Sequence, residues 1–103
     1  MVWRVEYFTK VNRYVETLSI DDEAKIKQAI SFLENYGPFL RSPFVKKIEK
    51  SLFELRIIGQ NSYRIFFTFK NKIYYLVHIF KKKSQKTPKK EIKLALDRIK
   101  QLI

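Results

Sequence analysis

Two arginines and a run of lysines set the chemistry open to this sequence. Arg56 ends the alternating segment LFELR from Leu52, Arg64 stands inside SYRIFF from Ser62, and Lys81, Lys82, Lys83 and Lys86 follow the apolar run YYLVHIF. Guanidinium forks on a rigid strand match pairs of phosphate oxygens, and ammonium groups act beside them as point charges. The arrangement suits a polyanion, RNA above all. Lys89 and Lys90 extend the cationic run.

Plainer readings exist for each group. A lysine run is ordinarily a solvated loop. This one lies between an apolar strand and the start of a helix, where free backbone N–H groups add to the attraction for phosphate. Arg56 and Arg64 could instead pair with Glu54 or Glu49 and keep a sheet face soluble, an exposed pair being worth no more than about 1 kcal/mol. His78 has an ordinary pKa close to neutrality and invites a role as a base. Within an apolar run, however, a strand histidine is more often a hydrogen-bonded packing residue.

Many chemistries are excluded. The chain has no cysteine, so disulfides, thiolate metal sites and cysteine nucleophiles are absent. Neither a phosphate-binding G-x-x-x-x-G-K-[ST] nor a G-x-G-x-x-G or G-x-S-x-G motif occurs, and one histidine cannot build H-E-x-x-H. No metal site or cofactor is expected.

At 103 residues the chain has room for a single domain spanning 1–103, and its 46% apolar content places it among globular proteins. The net charge of +12 favours nucleic acid or anionic surfaces as partners. It is concentrated: Lys70 to Lys93 holds nine lysines against Glu91, whereas Asp21, Asp22, Glu23 and Glu34 outnumber Lys25 and Lys27 between Ser19 and Glu34. No apolar stretch is long enough to span a membrane, and no signal peptide is evident, so a cytoplasmic protein is expected.

The elements that position these groups follow from periodicity. Val2 to Phe8 alternates as a strand. Val11, Tyr14, Val15 and Leu18 form one helical stripe, and Ile26, Ala29, Ile30 and Leu33 form a second. Ser19 caps the second helix and Gly37-Pro38 stops it. Pro38 and Pro43 interrupt the next segment, in which Phe44, Val45 and Ile48 hint at a short edge strand. Strands are then predicted over Leu52–Ile58, Tyr63–Lys70 and Ile73–Phe80, joined through Gly59-Gln60-Asn61 and a tight turn at Asn71. Thr87 as N-cap and Pro88 at the first helical position open a closing helix striped by Ile92, Ala95, Leu96, Ile99 and Leu102. The layout is α+β: strand, helical hairpin, antiparallel sheet, C-terminal helix. Phe53, Leu55 and Ile57 share one face with Tyr63, Ile65 and Phe67, which leaves Arg56 and Arg64 on the opposite face, expected to be open.

The succession LFELR, SYRIFF, LVHIFKKKSQKTP and EIKLALDRI, spread over residues 43–102, resembles the phage-derived Gp49-like, or HigB-type, branch of the RelE/ParE toxin superfamily. The resemblance implies the toxin of a type II toxin–antitoxin pair, an endoribonuclease that cleaves mRNA at the ribosomal A site without a metal. It also implies a cognate helix-turn-helix antitoxin of the HigA type. On this resemblance Arg56 and Arg64 stabilise the scissile phosphate, and Lys82 or Lys83 assists the leaving 5′-oxygen. Lys81, Lys86, Lys89 and Lys90 hold RNA, while Phe80 or Tyr63 either stacks on a base or belongs to the core. Relatives that place a Tyr or His near the C-terminus for proton transfer have no counterpart after Pro88, which leaves Glu54, His78 or a lysine for that task. A gyrase inhibitor of ParE type and a non-catalytic RNA-binding module remain alternatives.

Overall fold

The computed structural model describes residues 2–57, 59, 62–83 and 86–102. Along the chain run β1 (Arg4–Tyr7), α1 (Thr9–Glu16), α2 (Ile20–Tyr36), a 3-10 turn (Gly37–Phe39), β2 (Val45–Glu49), β3 (Leu52–Ile57), β4 (Tyr63–Lys70), β5 (Ile73–Lys81) and α3 (Lys89–Ile99). The predicted α+β layout is the observed one. The strands form one five-stranded sheet in the order β1-β5-β4-β3-β2. Pairing from β2 to β5 is antiparallel, but β1 joins the edge of β5 in parallel, Arg4 opposite Ile73. The helical hairpin carries the chain from β1 across to β2 at the far edge, and the meander returns to β5, so the long connection that a parallel pair requires holds both the hairpin and β2–β4.

Local chemistry explains the boundaries. Ser19 Oγ accepts the Asp22 N–H at 3.2 Å, and Asp21, Asp22 and Glu23 fill the first turn of α2. The hairpin between β4 and β5 turns on Asn71 and Lys72, both at positive φ, the conformation that matches strand twist in a two-residue loop. The weakly signalled edge strand is real and carries a bulge between Lys47 and Glu49. Of the predicted Gly59–Asn61 connection only Gly59 lies among the described residues, and Ile58 lies outside them.

Two cores flank the sheet. On one face Leu55, Ile57, Tyr63, Ile65, Phe67 and Leu76 pack against Val11, Val15, Ile26, Ile30 and Leu33 of the hairpin. Asp22 reaches into this core, accepting the Tyr63 hydroxyl at 2.7 Å. Burial, and then that hydrogen bond, push the hydroxyl up to about 12.

The opposite face departs from expectation. It is not open along its length: α3 lies over β4 and β5, and Ala95 with Ile92, Leu96 and Ile99 packs on Leu52, Phe66, Val77 and Phe80. A bulge opposite Phe66 and Phe67 sets Phe66 across from His78 and Phe67 across from Leu76, which inserts Val77 as an extra residue turned toward α3. The start of α3 also differs. Pro88 is the N-cap, without a side-chain cap bond, and Thr87 directs its hydroxyl elsewhere.

Gly37 ends α2 at φ +51°, a conformation side chains rarely adopt, and a Cβ there would stand 2.5 Å from Trp3 Cδ2. Gly37→Ala is therefore expected to lower unfolding free energy by about 2 kcal/mol or more in urea denaturation.

Candidate nucleic-acid interface

Strand register builds the site in two rows on the α3 face. Arg56 lies opposite Arg64, which lies opposite Phe80; one step along, Glu54 lies opposite Phe66, which lies opposite His78. On β2, Lys46 lies opposite Glu54. Two guanidiniums directly across a ladder repel each other. Glu54 answers both: its Oε1 accepts from Arg56 Nε at 3.2 Å and lies 3.5 Å from Arg64 Nε. Its Oε2 accepts the Thr87 hydroxyl at 3.2 Å.

Exposure grades this cluster from floor to surface. The side chains of Glu54, Arg64 and Arg56 are 1%, 11% and 27% exposed. Arg64 Nη1 donates to the Tyr63 carbonyl at 3.0 Å, whereas its buried Nε makes no hydrogen bond among the described residues. Burial makes this guanidinium hold its proton less firmly than usual; Glu54 opposes the effect and Arg56 adds to it.

Past the end of β5, the Lys82 N–H donates to the Ser62 carbonyl at 2.8 Å, which holds the post-strand chain beside the start of β4. The Lys82 side chain is partly buried, while Lys81 and Lys83 are exposed. Burial first, then the charge of Arg64, lower its pKa from the ordinary lysine value; Glu54 works the other way, and Arg56 and Lys46 add smaller pushes downward. Arg56 and Arg64 thus meet the sealed carboxylate directly, with Lys46 opposite it on β2 and Lys82 within its electrostatic reach. The excess positive charge suits a phosphate, and a partly buried lysine at its edge suits a departing oxygen anion.

Other predicted residues fall around or outside this cluster. Lys86, Lys89 and Lys90 are exposed at the start of α3, near the Thr87 contact. Phe80 is 6% exposed and packs in the second core, 5.2 Å from the Phe66 ring and stacked on His78. Tyr63 is 3% exposed. For both rings the core assignment is the one their burial supports.

His78 stands in the second row with both ring nitrogens engaged. Arg98 Nη1 lies 3.3 Å from Nδ1 and donates to the Val77 carbonyl at 2.7 Å, while Nε2 is 3.0 Å from Glu91 Oε1. The network assigns the neutral ring with its proton on Nε2. It clamps α3 to β5. Burial lowers the His78 pKa and Arg98 adds to that, against the pull of Glu91. As placed, neither His78 nor the sealed Glu54 offers a substrate an accessible base.

Lys46 and Thr87 were not foreseen as members of the site. Alternation in VKKIE would have put Lys46 on this face had the strand been read with its register; nothing local marks Thr87.

Fold and site together define a small α+β protein with a cationic sheet face clamped under a C-terminal helix. The chain belongs to the Gp49-like family: residues 13–100 match the model described as "Phage derived protein Gp49-like (DUF891)". A chain of the archaeal RelE–RelB complex from Pyrococcus horikoshii OT3 is similar at 22% identity with a TM-score of 0.65, over 79% of this chain and 96% of that one. The E. coli toxin RelE, in the free state and with two arginines replaced by alanine, aligns over 100% of both chains at 8% identity and a TM-score of 0.67. At such identities the likeness is one of fold, and the fold is that of RelE. No curated protein matches in sequence.

Removing the buried carboxylate leaves Arg64 without its counter-charge. Glu54→Ala is expected to cost about 3 kcal/mol of unfolding free energy, and Arg56→Ala only about 1 kcal/mol, by chemical denaturation. A second expectation concerns pH. His78 binds its proton less firmly folded than unfolded, where its pKa is about 6.5, so its contribution is complete above that value and is lost as pH falls. Between about pH 7 and 5.5 the unfolding free energy from urea denaturation should decline in the wild type, by at most about 1.4 kcal/mol per pH unit, and decline less in His78→Gln.

Proposed function

We propose that this chain, a single domain over 1–103, is the toxin of a type II toxin–antitoxin pair. It acts in the cytoplasm as an endoribonuclease, cleaving mRNA at the ribosomal A site without a metal or cofactor, and is held in check by a helix-turn-helix antitoxin of the HigA type. The observation that carries the reading is the cluster in which Glu54 holds Arg56 and Arg64 side by side, with Lys82 at their edge. Membership of the Gp49-like family and the RelE fold support it.

In this reading the guanidiniums of Arg56 and Arg64 bind the non-bridging oxygens of one phosphate. The neighbouring ribose 2′-oxygen attacks phosphorus, the bond to the 5′-oxygen breaks, and Lys82 supplies the proton that the leaving oxygen takes. The 2′-hydroxyl proton passes to water. The products are a 2′,3′-cyclic phosphate and a free 5′-hydroxyl. Preorganised charge of this kind does most of the work in many phosphoryl and acyl transfers. Lys81, Lys83, Lys86, Lys89 and Lys90 add salt-sensitive attraction along the RNA backbone.

A reporter mRNA on translating ribosomes, assayed beside DNA supercoiling by gyrase, tests the proposal. Arg64→Ala, checked for folding by circular dichroism, should lose cleavage by about a hundredfold or more. Lys82→Ala should be slowed by about a hundredfold on ordinary RNA, and far less when sulfur replaces the leaving 5′-oxygen, because a thiolate departs without protonation. Full cleavage by folded Arg64→Ala, or gyrase inhibition in place of cleavage, overturns the reading.

A further inference from the structure

The run Lys81-Lys82-Lys83 is uniform in sequence and divided by the fold. Lys81 pairs with Tyr63 at the end of β5, and the bond from the Lys82 N–H to the Ser62 carbonyl carries the register one residue further. Alternation then puts Lys82 on the α3 face, diagonal to Arg64, while Lys81 turns to the opposite face. Exposure agrees with this division: Lys82 is partly buried, and Lys81 and Lys83 are exposed. One amine of the three is brought to the guanidinium row.

That amine differs from an ordinary surface lysine in its company. Within its electrostatic reach are Arg64, Arg56 and Lys46, and the carboxylate among them, Glu54, is already engaged by Arg56 and Thr87. Lys82 makes no salt bridge among the described residues. Burial, and then Arg64, favour its uncharged form relative to an exposed lysine, and the uncharged amine is the nucleophile. A nucleophile thus stands beside a seat for phosphate.

We propose that Lys82 is a modification site, acylated by a small acyl phosphate whose phosphate rests on Arg56 and Arg64. The guanidinium forks match the phosphate half of such a reagent, and binding it there brings the acyl carbon to the amine. Once the ammonium has released a proton to water, the Lys82 nitrogen attacks the acyl carbon. The C–N bond forms, the bond between the acyl carbon and the phosphate oxygen breaks, and inorganic phosphate departs with the electron pair. A second proton passes from nitrogen to water. The amide that remains is neutral, so the row loses a cation together with the proton assigned to the leaving 5′-oxygen. The inference rests on the proposed function for its phosphate seat, and it makes acylation a switch on that same site.

The test incubates the full chain with acetyl phosphate at mildly alkaline pH and follows acetylation at each lysine by tandem mass spectrometry of the chymotryptic peptide that begins after Phe80. Lys82 should react about tenfold or more faster than Lys81 and Lys83, a proximity effect that vanishes with an acetyl thioester, which has no phosphate to bind. Excess inorganic phosphate should erase the preference in the unaltered chain. Arg64→Ala, checked for folding by circular dichroism, should erase it too. Equal rates at the three lysines, a preference shown equally with the thioester, or one that survives inorganic phosphate or folded Arg64→Ala each overturns the inference. Acetylation is read without RNA, so the two readings separate. An unreacted chain that cleaves no mRNA while Lys82 keeps its preference loses the nuclease reading alone, and a chain that cleaves mRNA with no preference at Lys82 loses the acylation alone.

Discussion

A carboxylate withdrawn from water costs several kcal/mol unless its charge is answered, and Glu54 is answered three times. Arg56 comes from its own strand, Arg64 from the next, and Thr87 from the approach to α3. The need to satisfy one buried charge therefore ties together two strands and the start of a helix. It also settles the register of the cationic face, because a slip by one residue would turn Glu54 into the hairpin core and leave both arginines unmatched. The same contacts hold the guanidiniums in place before any anion arrives. Little further ordering would then be required for the proposed phosphate contact.

The second row performs a different task in similar terms. His78, Glu91 and Arg98 form a neutral-ring network that fastens α3 across β5, with Phe66 and Phe80 filling the space beside it. Placed one step along the ladder from the arginines, this clamp supplies a dry wall for the charged row. A sheet face that alignment of charge would otherwise force open is covered where it is apolar, and the cations gather at the end where β3 and β4 meet the post-strand chain.

Much of this was legible because it is local. Period-two alternation located Tyr63–Lys70 and assigned Arg56 and Arg64 to a common face; Ser19 and Gly37 marked the ends of α2 through cap chemistry that needs no tertiary partner. The rest depended on contacts distant in sequence. Thr87 reads as a helix cap until β3 brings Glu54 within reach of its hydroxyl. Phe80 looked available to a base until α3 and Phe66 enclosed it. Glu54 carried the pattern of a surface ion-pair partner or a base, and only the sheet's register reveals it as the floor beneath two arginines. Lys46 sat in a segment whose prolines obscured its strand.

The parallel seam between β1 and β5 bears on how the chain reaches this state. Strands β2 to β5 are neighbours in sequence and close through short connections, so their pairing needs little loop closure. Arg4 and Ile73, by contrast, meet across about two thirds of the chain, with the helical hairpin and strands β2 to β4 between them. Contacts of such separation come late in folding and slow it. The meander thus has the means to assemble first, with the cationic row inside it, and the N-terminal strand to dock afterwards as the closing edge.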